Sequence, residues 1–142
     1  MTTTLATLRD WVELALGDPT NLIWSTASLD GAIRGALAEI SGAAGTALTL
    51  NGLDGATETT LEDRDTPLLV VGASAYALAT RLSERIEEAT PDREDLDDLA
   101  KHKDKAMANF QALLAGFKRR NLQESPNTPY TQWLWEEGQG FG

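Results

Sequence analysis

Apolar residues recur at three- and four-residue spacing near the start of the chain, which predicts a first helix over about residues 4–16. The stripe consists of Leu5, Leu8, Val12, Ala15 and Leu16. Trp11 flanks it, and Gly17 followed by Asp18-Pro19 predicts the end of the helix.

A second helix is predicted to begin at Ser25, a residue type that caps helices with its hydroxyl oxygen. Trp24 and Leu29 stand on either side of this cap at the spacing of a hydrophobic staple. Ser41-Gly42 is expected to end the helix. Its predicted buried stripe consists of Leu29, Ile33, Ala36, Leu37 and Ile40.

The hydrophobic period changes from helical to alternating between residues 45 and 62. β-Branched residues flank Asn51-Gly52 and Asp54-Gly55, and both dipeptides favour tight turns. This segment therefore predicts one β-hairpin between the second and third helices. Because an isolated two-stranded hairpin is only marginally stable, it should pack on the helices or on a partner chain.

Two further helices are predicted to begin at Thr-Pro pairs. Thr66-Pro67 supplies a cap and an N1 proline for a third helix that ends near Glu88. This helix is apolar nearly all round between Leu68 and Ala79, so we expect it to be the most buried.

The fourth helix is the longest and is predicted from Thr90-Pro91 to about Arg120. Its apolar stripe alternates four and three residues apart, with Lys103 as the polar exception. We interpret the stripe as one side of an intramolecular core rather than as a dimeric coiled coil. Its members are Leu96, Ala100, Lys103, Met107, Phe110, Leu114 and Phe117.

The helical pattern stops at Asn121, and an extended C-terminal arm is predicted over residues 121–142. Ser125-Pro126 and Thr128-Pro129 oppose a helix there. If the arm is an extended strand, its two tryptophans, Trp133 and Trp135, lie on the same face, which suits addition to the edge of a partner's β-sheet. The alternative is that the arm folds back on its own bundle. The predicted protein-interface residues are Tyr130, Trp133, Leu134, Trp135 and Phe141.

The predicted fold is mostly α. It is a small bundle of about four helices over residues 1–120, with one β-hairpin at about 45–62, followed by the arm. A length of 142 residues suits one such domain. No signal-peptide pattern begins the chain, and its most apolar stretch, from Pro67 to Ala79, is too short to cross a membrane. We therefore expect a soluble, intracellular protein.

The sequence contains no recognisable arrangement of catalytic or metal-binding residues. The chain has no cysteine and one histidine, His102, which leaves no zinc site and no nucleophile–histidine pair. Asp95, Asp97 and Asp98 suit the start of a helix, and the 51–55 turn lacks the ligand spacing of a calcium loop. We predict no catalytic residue, no metal ligand and no cofactor, and we do not expect an enzyme.

The net charge of −10 is unevenly distributed along the chain. Residues 1–60 hold two basic and seven acidic side chains, residues 61–100 hold four and eleven, and residues 101–142 hold six and four. We interpret the basic residues of the last part as a solvated face of the fourth helix, so nucleic-acid binding is not expected. They are Lys101, Lys103, Lys105, Lys118, Arg119 and Arg120.

The order of the elements and two short segments carry a family resemblance. The segments are Trp24-Ser25-Thr26 with the Leu29-Asp30-Gly31-Ala32-Ile33 that follows, and Gly72-Ala73-Ser74-Ala75-Tyr76-Ala77-Leu78. A short hairpin separates them and a long charged helix comes after. Over residues 4 to about 120 the chain resembles the head–tail adaptor (head-completion, connector) proteins of long-tailed bacteriophages, and the arm matches no family motif.

This resemblance implies a structural virion protein that is made in the host cytoplasm and lies in the neck between head and tail. Such proteins form a ring, usually of twelve subunits, that binds the portal protein and the next neck or tail-completion protein. Genome DNA passes through the ring without specific binding, which an acidic surface favours. The alternative is a cytosolic, non-enzymatic helical regulator that binds one protein partner through its aromatic arm.

Overall fold

Four α-helices make up most of the computed structural model, which describes residues 3–18, 23–87 and 93–124. A turn of 3-10 helix, Asp63–Asp65, leads directly into the third of them. The prediction of a mostly helical fold with four helices is confirmed. The helices are α1 (Leu5–Leu16), α2 (Thr26–Ala44), α3 (Thr66–Ile86) and α4 (Arg93–Glu124).

The helix α3 is the centre of the bundle. It packs against α1, α2 and α4, while α2 also contacts both α1 and α4. In the described residues, no Cα atom of α1 lies within 8 Å of a Cα atom of α4. Seven residues of α3 are buried, against six in α2, three in α1 and two in α4, as the all-round apolar pattern predicted.

Small residues let α3 approach its neighbours closely. A Cβ atom at Gly72 would lie 2.6 Å from the ring of Phe110, which is fully buried in α4. On α2, a Cβ atom at Gly35 would lie 3.3 Å from the ring of Tyr76. The Tyr76 and Phe110 rings meet edge to face with their centroids 6.3 Å apart, so aromatic contacts join α3 to α4.

The predicted start of α2 is confirmed. The Ser25 hydroxyl accepts a hydrogen bond from the Ser28 amide at 3.1 Å, and both predicted staple residues, Trp24 and Leu29, are buried in the core. The indole of Trp24 donates to the Ala77 carbonyl on α3 at 2.9 Å. These bonds fix the start of α2 against the central helix.

The end of α2 and the start of α3 differ from the prediction. The helix α2 does not end at Ser41-Gly42; it continues to Ala44 and stops at Gly45, whose φ of +76° is the left-handed conformation that glycine adopts readily. A single glycine inside a helix costs only about 1 kcal/mol, so Gly42 does not end it. Thr66 is the first residue of α3 rather than its cap, because the 3-10 turn places Asp65 at the cap position.

The predicted β-hairpin at 45–62 is wrong, since the described residues there form no strands. The chain does reverse at Gly52 and Gly55, which have φ of +97° and +82°. A backbone hydrogen bond from the Gly52 amide to the Ala56 carbonyl at 2.9 Å closes the turn, and beyond it the Thr60 amide donates to the Thr49 carbonyl at 3.1 Å. Leu50, Leu53 and Leu61 are buried in the helical core. We call residues 46–61 the covering loop.

Threonine hydroxyls replace the missing strand pairing of the covering loop. The Thr49 amide donates to the Thr60 hydroxyl at 2.8 Å, and the Asn51 amide donates to the Thr59 hydroxyl at 2.9 Å. The Thr59 hydroxyl in turn donates to the Thr3 carbonyl. A side-chain oxygen that accepts a hydrogen bond from a backbone amide satisfies that amide without strand pairing. For this reason the alternating pattern did not produce a hairpin.

The apolar stripe predicted for α4 faces the bundle. Phe110 and Phe117 are buried, and Met107 and Leu114 pack against the core. The stripe therefore belongs to an intramolecular core, as expected. Its polar member, Lys103, is half-buried and pairs with the neighbouring Asp104 at 2.6 Å. The predicted start of this helix at Thr90-Pro91 lies outside the described residues.

Candidate protein-docking surface

The interface residues predicted from the sequence, Tyr130, Trp133, Leu134, Trp135 and Phe141, all lie outside the described residues. The helix α4 continues through Glu124, so the first four residues of the segment assigned to the arm are helical. A salt bridge between Arg64 Nη2 and Glu124 Oε2, at 2.7 Å, holds the C-terminal end of α4. This ion pair lowers the pKa of the Glu124 carboxyl below its ordinary value.

Two of the acidic residues considered for metal binding, Asp54 and Asp95, pair with arginines. Within residues 3–18, 23–87 and 93–124, no group of three or more His, Cys, Asp or Glu side chains is placed to hold a metal ion. The Arg34 guanidinium binds both carboxylate oxygens of Asp54 and lowers the pKa of that carboxyl. Asp95 pairs with Arg85 at 3.5 Å, and His102 is exposed on α4.

The basic residues of α4 do not form one stripe. Arg120 pairs with the buried carboxylate of Asp65, and its guanidinium lies 5.2 Å from the centroid of the Phe117 ring. Lys103 is paired with Asp104. The remaining exposed cations of this helix, among the residues the structure describes, are Arg93, Lys101, Lys105, Lys118 and Arg119.

No helix in the described part of the chain is long and apolar enough to span a membrane.

An apolar groove runs along α3 where α1 and α4 stand apart, and we call it the α1–α4 groove. It consists of two adjoining cavities of about 590 and 560 Å³ that share Val70 and Val71. The first cavity is also lined by Thr3, Thr7, Trp11, Asp63, Thr66 and Pro67. The second is also lined by Ala15, Leu16, Ser74, Leu78, His102, Lys105, Ala106 and Asn109.

The bottom of the groove presents few free polar groups. The Ser74 hydroxyl donates to the Val70 carbonyl of its own helix at 2.8 Å, so its hydrogen-bonding capacity is partly used internally. Val70, Val71 and Leu78 are only half-buried, although they pack against the core. Such an apolar surface, left open in one chain, suits the side chains of a protein partner.

Exposed apolar residues border the groove on both sides. On α1, Trp11 lines the first cavity and is 41% exposed, and Leu14, two helical turns beyond the cavity-lining Thr7 on the same face, is 68% exposed. On α4, Leu113 is 44% exposed and lies one helical turn beyond Asn109 on the same face. Tryptophan in particular contributes strongly to binding when a partner buries it. The groove with these borders is the best candidate for a functional site in the described residues.

Sequence reasoning missed this surface. Trp11 flanks the apolar stripe of α1 and Leu14 falls outside it, and these two large apolar residues off the stripe are the only sign of the surface in the sequence. The groove itself depends on the gap between α1 and α4. That gap is a long-range property that no local pattern reports.

In comparisons with known proteins, no protein-family model, no curated protein and no solved structure matches this chain.

Proposed function

We propose that this chain is a structural virion protein of a long-tailed bacteriophage, a head–tail adaptor that assembles as a ring below the portal. In this role it extends the DNA channel and joins the capsid to the next neck or tail-completion protein. The ring contains about twelve copies. The protein has no enzymatic activity and uses no cofactor.

The observation that carries this proposal is the α1–α4 groove with its exposed borders. A closed bundle that acts alone has little reason to leave Val70, Val71, Trp11 and Leu14 accessible, since burying each would stabilise it. A subunit that packs against further protein chains needs such a surface. The order of the helices and the two short segments that resemble adaptor proteins favour a neck protein over other kinds of assembly.

The charge of the chain supports passage of DNA without binding. The net charge is −10, and the exposed cations on α4 are few. We expect no measurable binding of duplex DNA by the isolated protein at physiological salt, because phosphate contacts require clustered cations. An electrophoretic mobility shift assay over a range of salt concentrations checks this, and a salt-sensitive shift at micromolar protein would contradict it.

Negative-stain electron microscopy tests the adaptor proposal directly. The full chain is imaged alone and after mixing with a portal protein of a long-tailed phage. Rings, or an added layer below the portal, are the expected result. A stable one-to-one complex with a cytosolic protein, and no ring under either condition, would favour the regulator that the sequence left as the alternative.

A further inference from the structure

We propose that the α1–α4 groove receives residues 130–137 of a second copy of this chain. The inference rests on the proposed function, in that copies of the chain assemble with one another, and it names the contact that joins them. Its starting point is the groove itself, which is apolar along α3 and bordered by Trp11 and Leu14.

The position where the described chain ends favours the arm as the occupant. Glu124, its last residue, pairs with Arg64, and the neighbouring Asp63 lines the mouth of the first cavity. The arm therefore leaves the bundle at the same end as the groove begins. Five residues separate Glu124 from Tyr130, and an extended chain covers roughly 3.3–3.6 Å per residue, so Tyr130 has a reach of roughly 20 Å.

The order of residue types in the arm matches the order along the groove. Tyr130, Trp133, Leu134 and Trp135 come first, and Glu136-Glu137 follow. The groove is apolar around Trp11, Pro67 and Val70, and it ends beside the exposed His102 and Lys105. An arm that enters at the Pro67 end would place its aromatic side chains on the apolar part. Its carboxylates would then lie near Lys105, which gives complementary charge.

The geometry favours the arm of another copy over the chain's own arm. The groove runs back along α4, so the chain's own arm would have to reverse direction directly after Glu124. A proline disfavours the α conformation at the residue before it, and Pro126 and Pro129 therefore favour an extended exit over an immediate reversal. In a ring, rotation keeps equivalent atoms of all copies at one height. The arm of one copy therefore begins at the same height along the ring axis as the mouth of the groove in the neighbouring copy.

The absence of native cysteine allows a clean cross-linking test. One variant carries Ala106→Cys, on α4 inside the groove, and another carries Gln132→Cys in the arm. The two full-length variants are mixed, one of them labelled with heavy isotopes, and oxidised. Because each chain holds a single thiol, a disulfide between the two variants can only join two copies. We expect this mixed disulfide to form.

A matched control replaces the groove position by Ala115→Cys, an exposed alanine of the same helix that lies on its α2 side, beside Glu39 and Ala43. We expect at least a tenfold lower yield of mixed disulfide from this control. Adding Trp133→Ala and Trp135→Ala to the Gln132→Cys variant should lower the yield by a similar factor while leaving the melting temperature nearly unchanged. A large fall in melting temperature with the yield retained would overturn the inference.

Three other outcomes would also overturn it. An intrachain disulfide in the Ala106→Cys, Gln132→Cys double variant at high dilution would show that the groove takes its own arm. Equal yields from the groove and control positions would show that the arm does not dock there. Rings seen by microscopy without the mixed disulfide would leave the adaptor proposal standing and end this inference. If the mixed disulfide forms in closed dimers that never assemble into rings, this inference stands and the adaptor proposal fails.

Discussion

The two outer faces of the central α2–α3 pair differ in how they are covered. Outside α2, the covering loop lies against Arg34, Leu37 and Ser41, and its leucines enter the core. Outside α3, the helices α1 and α4 stand apart, and Val70 and Val71 stay half-buried in a groove. One chain therefore uses apolar surface in two ways. Surface covered by the chain's own loop stabilises the fold, whereas surface left open is free for a partner.

The largest effect is expected on the covered side. Leu50 of the covering loop is 0% exposed, and Leu50→Ala should lower the free energy of unfolding by about 2–5 kcal/mol through lost burial and a new cavity. Chemical denaturation of the full chain, followed by circular dichroism, measures this. A change below about 1 kcal/mol would mean that the loop does not stabilise the bundle.

The hydroxyl bonds of the covering loop provide a second, smaller test. The Thr59 hydroxyl accepts from the Asn51 amide and donates to the Thr3 carbonyl, so Thr59→Val leaves two partly buried backbone groups without this partner. We expect a loss of about 1–3 kcal/mol in unfolding free energy. The exposed Thr57 of the same loop is the matched control, and Thr57→Val should change stability far less. Equal effects would contradict the role assigned to the hydroxyls.

The covering loop also shows how far the sequence could predict this fold. Helical spacing and the Ser25 cap located the helices within a few residues, because both signals are local. The turn at Asn51-Gly52 was predictable for the same reason. The pairing beside the turn was not, since an alternating pattern does not distinguish a strand ladder from threonine hydroxyls bonded to the backbone. The groove on the open side could not be predicted from local sequence patterns, because it depends on how α1 and α4 pack on α3.

A third test concerns the packed face of α3, opposite to the groove. The Tyr76 hydroxyl donates to Glu39 Oε1 on α2, and Gln111 of α4 donates to Glu39 Oε2 at 3.2 Å. Burial, assisted by the bond to Glu39, raises the pKa of Tyr76 to about 12. Its contribution to stability is therefore fully present below about pH 10, the ordinary value, and is lost as the pH rises towards 12.

The measurement uses a Tyr130→Phe background, so that Tyr76 is the one tyrosine that titrates. Phenolate absorbance of the folded protein should rise near pH 12 rather than near pH 10, and stability should fall between these two values. With Tyr76→Phe, this part of the alkaline loss should disappear. Ionisation of Tyr76 near pH 10 without any loss of stability would show that the Tyr76–Glu39 bond does not hold the three helices together.

The smallest effect on stability is expected on the open side, and it separates the two faces most clearly. Leu14 is 68% exposed beside the α1–α4 groove, so Leu14→Ala should change the free energy of unfolding by less than about 0.5 kcal/mol. It is the counterpart of Leu50→Ala, the same substitution at a fully buried site. If the open side serves assembly, Leu14→Ala should reduce ring formation although the monomer stays as stable as before. Denaturation curves and particle counts by electron microscopy, made on the same samples, give both quantities. A loss of stability close to that of Leu50→Ala would show that the open side already serves the fold of the single chain. Unchanged stability together with unchanged assembly would place the contact between copies elsewhere on the bundle.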